Sequence, residues 1–173
     1  ALAEAAQRLK PRIVYLANPD NPMGSFWPAA DVERFIAAIP GDTLIMLDEA
    51  YGELAPEGAL PAIDTSQTNV LRLRSFSKAY GLAGIRVGYA IGPKPIIGAF
   101  NRVRNHFGVN RLALAAALAA LDDQDYLAHA KAQIAHARDR IAEIARENGL
   151  APLPSATNFV AVDCGRDGAY AAK

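Results

Sequence analysis

Short apolar runs and helix-period stretches take turns along this chain. Arg12–Ala17 carries Ile13, Val14, Tyr15 and Leu16 without a break, which predicts a strand buried on both faces. Asn18–Gly24, with two prolines, two asparagines and a glycine, predicts a rigid loop. Pro28 then opens a helix at its favoured first position, with Val32, Phe35, Ile36 and Ile39 on one covered face and Pro40-Gly41 as its stop. Thr43–Leu47 is the second buried strand and Val70–Arg74 the third, with loop-rich Gly52–Ser66 between them. Arg72 interrupts the third run, and the sequence alone offers no reason for a charge there. Arg86–Ile91 is the fourth strand.

The second half is helical. Pro95 starts a helix with Ile96, Phe100, Val103 and Phe107 on one side. Leu112–Leu121 is apolar all round, which predicts a buried helix. Asp122 or Asp123 caps a long helix that stops at Asn148-Gly149. Its Leu127, Ala130, Ile134, Ala137, Ile141 and Ile144 predict a helix lying along the protein body rather than a coiled-coil seam. Pro152 and Pro154 make a break, and Asn158–Val162 starts a new strand.

Strands alternating with helices predict an α/β fold with a mainly parallel sheet and flanking helices. The expected division is a cofactor-binding domain over residues 1–121, a linking helix over 122–150 and the start of a smaller α+β domain over 151–173. The chain opens inside a helix without Met and closes where another helix would begin. Both ends therefore read as cut, and the chain as an internal portion of a longer protein.

Composition narrows the function. Of 173 residues, 51% are apolar, enough for a packed core. Basic and acidic residues balance at 18 each, so no charge excess points to nucleic acid or to an anionic membrane. No apolar run has the length of a membrane span. The single cysteine, Cys164, excludes a disulfide framework and points to a reducing, cytoplasmic setting. No cluster of histidines or carboxylates supports a metal site beside Asp48-Glu49.

In open α/β sheets ligands gather at the carboxyl ends of strands. Here those ends deliver Asn18 and Asn21, then Asp48 and Tyr51, then Ser75, Ser77 and Lys78, with Arg86 following. An amine can form a Schiff base with an aldehyde, and hydroxyls with a guanidinium can hold a phosphate. Pyridoxal 5'-phosphate carries both groups. In that chemistry Lys78 binds the aldehyde and later moves a proton at the substrate α-carbon. Asp48 pairs with the ring nitrogen and keeps it protonated. Asn21 and Tyr51 donate to the ring's phenolic oxygen, Ala50 is small enough for the ring to lie against, and Ser75, Ser77 and Arg86 fix the phosphate. The geometric requirement is that Asp48 and Lys78 face opposite ends of one ring, with a cavity between them.

The runs Asn18-Pro19-Asp20-Asn21-Pro22-Met23-Gly24, Asp48-Glu49-Ala50-Tyr51 and Ser75-Phe76-Ser77-Lys78, followed by Gly84-Ile85-Arg86-Val87-Gly88-Tyr89, resemble the aspartate aminotransferase superfamily of pyridoxal-phosphate enzymes (fold type I). Within it the chain is most similar to the histidinol-phosphate aminotransferase branch. The resemblance covers roughly residues 11–163 and implies the roles given above, residue by residue. It further implies that the fourth strand runs antiparallel, that Asn158 lies near the substrate carboxylate, and that the protein is a homodimer active in amino acid biosynthesis. Met23 departs from the family's usual threonine. The family's phosphate-binding turn and ring-stacking aromatic would precede residue 1, and its carboxylate-binding arginine would follow residue 173. The portion alone is therefore expected to be inactive. The implied reaction moves an amino group between an amino acid, or an amino alcohol phosphate, and a 2-oxo acid. Two rivals are a decarboxylase of a phosphorylated amino acid and a non-catalytic sensing module of aminotransferase-like fold joined to a DNA-binding domain.

Overall fold

The computed structural model describes residues 1–165. The helix expected beyond Gly168, and the last part of the 151–173 stretch, lie outside the described residues. The elements run α1 (Leu2–Leu9), β1 (Ile13–Ala17), α2 (Ala29–Ala38), β2 (Leu44–Asp48), β3 (Val70–Ser75), β4 (Gly88–Ile91), α3 (Lys94–Val103), α4 (Arg111–Asp122), α5 (Gln124–Glu147), β5 (Ala151–Pro152) and β6 (Val162–Asp163). No helix among the described residues is long and apolar enough to cross a membrane.

The first four strands form one sheet in the order β1-β2-β3-β4. Strands β1, β2 and β3 are parallel, and β4 runs antiparallel to β3, as the resemblance implied. The register sorts side chains by face, because alternate residues of a strand point to opposite sides. Val14, Ile45 and Val70 are level, as are Leu16, Leu47 and Arg72. This first face meets α1 and α2 in a cluster with Ala6, Val32 and Ile39. Full burial of Ile45, Leu47 and Val32 contributes about 1.5–3 kcal/mol per side chain. The opposite face carries Tyr15, Ala17, Asp48, Leu73 and Ser75.

Arg72, unexplained in the sequence, ends the first face. Its Nε donates to both carboxylate oxygens of buried Glu49 (2.9 and 3.0 Å), and its Nη2 donates to Oε1 (2.6 Å). Its remaining donors reach the carbonyls of Ala62 (3.0 Å) and Pro61 (2.9 Å). Arg74, two residues on, donates to Glu49 (2.8 Å) and to Glu53 (2.9 Å). Burial opposes the charge on Arg74, but Glu49 and Glu53 outweigh it and raise its pKa. A Cβ on Gly52 would sit 3.0 Å from that guanidinium, so a side chain there would press on the ion network where the loop crosses it. A second cluster, built on Tyr51, Phe76, Tyr80, Val87, Ala113, Ala117 and Leu127, joins the strand ends to α4 and α5.

Several expectations change. β1 is covered on one face only: Val14 is buried, while Ile13 and Tyr15 are each 53% exposed, because α1 and α2 both pack on the Val14 side among the described residues. Pro28 caps α2 from outside the first turn, and β4 begins at Gly88 because Arg86 has left-handed backbone (φ 59°). α3 ends at Val103, ahead of a turn at Asn105–Gly108, so Phe107 falls outside it and is exposed. α4 is not buried all round. Only its alanine stripe, Ala113 and Ala117, is covered, and Leu112, Leu114, Leu118 and Leu121 are exposed. An all-apolar helix pattern cannot say which side meets a neighbour. α5 lies on the body through Leu127 and Ile134, whereas Ile141 and Ile144 face outward. Asp123 caps it by accepting from the Tyr126 N–H. Asn158–Ala161 is not strand. Ser155 and Thr157 hydroxyls bond the Phe159 carbonyl and bend the chain, and β6 starts at Val162.

Replacing Arg72 by Met in the intact protein leaves Glu49 half-compensated and the Pro61 and Ala62 carbonyls without a donor. The expected loss is about 3–5 kcal/mol, read as a lowered urea midpoint.

Candidate active site

The site is assembled by three consecutive strand ends and the loops that leave them. β1 runs into the Asn18–Gly24 loop, whose Asn18–Pro19 peptide is cis. Asn18 itself does not face the ligand side. Its buried amide bonds the Trp27 carbonyl and N–H and the Ala59 carbonyl, so it braces the loop from beneath. Asn21 is exposed and donates from Nδ2 to the Tyr51 hydroxyl at 3.0 Å. Because that bond uses a lone pair of the phenol, the Tyr51 O–H and the second amide hydrogen of Asn21 stay free to donate elsewhere.

β2 ends at Asp48, whose two oxygens are held from two sides. Oδ1 accepts from the Ala50 N–H (3.0 Å), and Oδ2 accepts from the Tyr15 hydroxyl. Glu49, the next residue, points to the other face and into the arginine pair. Ala50 and Tyr51 follow in the same turn, and Tyr51 is buried.

β3 ends at Ser75. Its Oγ accepts from the Ser77 N–H (3.1 Å), which leaves the hydroxyl hydrogen available. Lys78 places its ammonium 5.1 Å from the centre of the Tyr51 ring. Asp48 and Lys78 thus bracket one turn, the carboxylate tied to its first amide and the amine set over its aromatic ring. Ser75 is level with Gly88 across the antiparallel pair, and Phe76 N–H meets the Val87 carbonyl (3.3 Å), so Arg86 lies on the neighbouring arm. The Arg86 guanidinium is exposed and donates to the Ala83 carbonyl (2.7 Å) rather than to either serine.

Asn158 is exposed and stands between Thr157 and Phe159. Phe159 meets the Tyr51 ring edge-on at 5.6 Å, which sets the Ser155–Phe159 bend against the site. The bend is also fixed to the Asn18–Gly24 loop. Ala156 N–H donates to the Gly24 carbonyl (2.8 Å), and Gly24 has positive φ, with Ser155 Oγ 2.5 Å from where a Cβ would be. Three surface cavities of about 380, 620 and 210 Å³ lie elsewhere, and neither Asp48 nor Lys78 lines any of them. The cavity expected between Asp48 and Lys78 is not among these three.

Sequence reasoning missed Tyr15. Burial first, and then the bond to Asp48 and the charges of Asp48 and Asp20, push its phenol up to about 12. No local signal could have found it, because the contact follows from the parallel register that sets Ala17 level with Asp48.

The family pattern for aminotransferases of class I and II matches residues 1–171. Histidinol-phosphate aminotransferase 2 of Pseudomonas aeruginosa is 47% identical over 159 residues, covering 90% of this chain and 43% of that protein. The crystal structure of histidinol-phosphate aminotransferase from Sinorhizobium meliloti in complex with pyridoxal-5'-phosphate matches with a TM-score of 0.93 and 56% identity, over 98% of this chain and 47% of that one. L-threonine-O-3-phosphate decarboxylase from Porphyromonas gingivalis matches with a TM-score of 0.70 and 26% identity, over 84% of this chain and 47% of that one. The chain spans less than half the length of these relatives.

Asn18→Ala in the intact protein strands the Trp27 N–H and the Ala59 carbonyl. We expect a loss of about 2–3 kcal/mol in urea unfolding and new protease cleavage between residues 18 and 28.

Proposed function

Because the chain belongs to the aminotransferase class I and II family, we propose that the full-length protein is a pyridoxal-phosphate-dependent aminotransferase of histidinol-phosphate type. It would move an amino group between an amino alcohol phosphate, or an amino acid, and a 2-oxo acid. The observation that carries this reading is the turn Asp48–Tyr51, with a carboxylate held at one end and the Lys78 amine over its aromatic ring. The donor set fits the cofactor: a carboxylate for a ring nitrogen, an amine for an aldehyde, two free donors at Asn21 and Tyr51, and a serine hydroxyl with an arginine on the neighbouring arm for a phosphate.

Each residue then has a task. Asp48 would accept a hydrogen bond from the protonated ring nitrogen. Asn21 and Tyr51 donate to the ring's phenolic oxygen, and Ala50 offers a flat apolar contact. Ser75, Ser77 and Arg86 take the phosphate by charge-assisted bonds. Lys78 takes the proton from the substrate α-carbon and returns it at the next position, and Asn158 orients the substrate carboxylate. When bound, pyridoxal phosphate supplies an electron sink for the pair left by that proton. The protein works as a homodimer in the cytoplasm, with residues 1–121 as most of its large domain, 122–150 as a linking helix and 151–173 as the start of a small one. The decarboxylase reading has less support, since the decarboxylase match is at 26% identity against 56% for the aminotransferase.

Two variants of the full-length protein test these roles. Wild type treated with pyridoxal phosphate and borohydride should gain a covalent mass on the Lys78 peptide, and Lys78→Ala should gain none; an adduct retained at the same site would overturn the assignment. Asp48→Asn should still bind cofactor but slow deuterium exchange at the substrate α-carbon on the order of 10²–10³-fold.

A further inference from the structure

The geometry points to Tyr15 as a positioning residue that sets the Asp48 carboxylate in the orientation that receives the cofactor's ring nitrogen. This inference rests on the functional reading above and adds to it a residue of β1 that no motif contains.

The register forces the encounter. Ala17 is level with Asp48, so Tyr15, two residues earlier, projects from the same face of the adjacent strand. Its ring reaches along the strand, and its hydroxyl donates to Oδ2. The other oxygen, Oδ1, takes the Ala50 N–H of the following turn. Two donors from two different elements fix the plane of the carboxylate. Neither uses up its oxygen, because a carboxylate offers about four lone-pair sites. One further donor can therefore be accepted without disturbing either bond.

The phenol is suited to be a permanent donor. Its pKa near 12 keeps it protonated through the physiological range, and the acidic groups facing it, Asp48 and Asp20, both act in that direction. Tyr15 is 53% exposed among the described residues and is not among the buried side chains of their core, and Phe keeps the ring in place.

The test uses the full-length protein and Tyr15→Phe, which keeps the ring and removes only the donor. In cofactor-free protein, alkaline titration followed at the phenolate absorption band should include a Tyr15 component raised to about pH 12 in wild type. That tyrosine should be absent in Tyr15→Phe and titrate at lower pH in Asp48→Asn. Pyridoxal phosphate binding should weaken about three- to tenfold in Tyr15→Phe, and the pH midpoint of the bound cofactor's absorption should shift while Tm is unchanged. On an Asp48→Asn background the same substitution should change neither quantity, since it acts through Asp48. Wild type that binds no pyridoxal phosphate would overturn both readings. Wild type that binds, with an unchanged Tyr15→Phe or with additive effects in the double variant, would overturn this one alone.

Discussion

The Glu49 carboxylate, buried between Arg72 and Arg74, is the constraint on which the rest of the structure depends. A buried carboxylate is tolerated only where several donors replace its water, and these two side chains supply them. The arginines come from alternate positions of β3, so both lie on one face of the sheet. Glu49 must turn to meet them, and its predecessor Asp48 must then turn the other way. The ion network thereby decides which side of the sheet receives the candidate catalytic carboxylate. It also anchors the loop back over the strand through the Pro61 and Ala62 carbonyls. Glu53 extends the network, although its Oε2 has no partner among the described residues. Its charge, after burial, raises the phenol pKa values of Tyr80 and Tyr89 beside it.

Much of this arrangement was legible in the residues. The four strand runs, the two long helices and the turn chemistry at Asn148-Gly149 follow from period and capping alone. The antiparallel β4 came from the resemblance, since a local run carries no direction. Burial was the weaker part. An apolar run such as Ile13–Leu16 predicts coverage on both faces, but coverage depends on which helices pack on each face, and α1 and α2 both lie on the Val14 side among the described residues. In α4 the alanine stripe meets the core and the leucines are exposed, which an all-apolar pattern cannot distinguish.

At the site, residue type located the strand ends but not the orientations. Asn18 and Asn21 look equivalent in sequence, yet one braces backbone from below and the other meets Tyr51. Arg72 looked misplaced because its partner sits on a different strand end. Tyr15 was invisible because its contact with Asp48 depends on parallel register, which no local pattern contains. Asn158 was placed in a strand, whereas the hydroxyls of Ser155 and Thr157 capture the Phe159 carbonyl and bend the chain first.

Gly24 has no side chain, and Ser155 occupies the room that one would need. Two stretches far apart along the chain consequently share a wall, with the Gly24 carbonyl and the Ala156 amide as its seam. The Asn21 loop and the Phe159 bend are joined at this seam. The Ser155–Phe159 bend therefore meets Tyr51 directly, through Phe159 and through the loop that carries Asn21, without passing through the interior of the sheet.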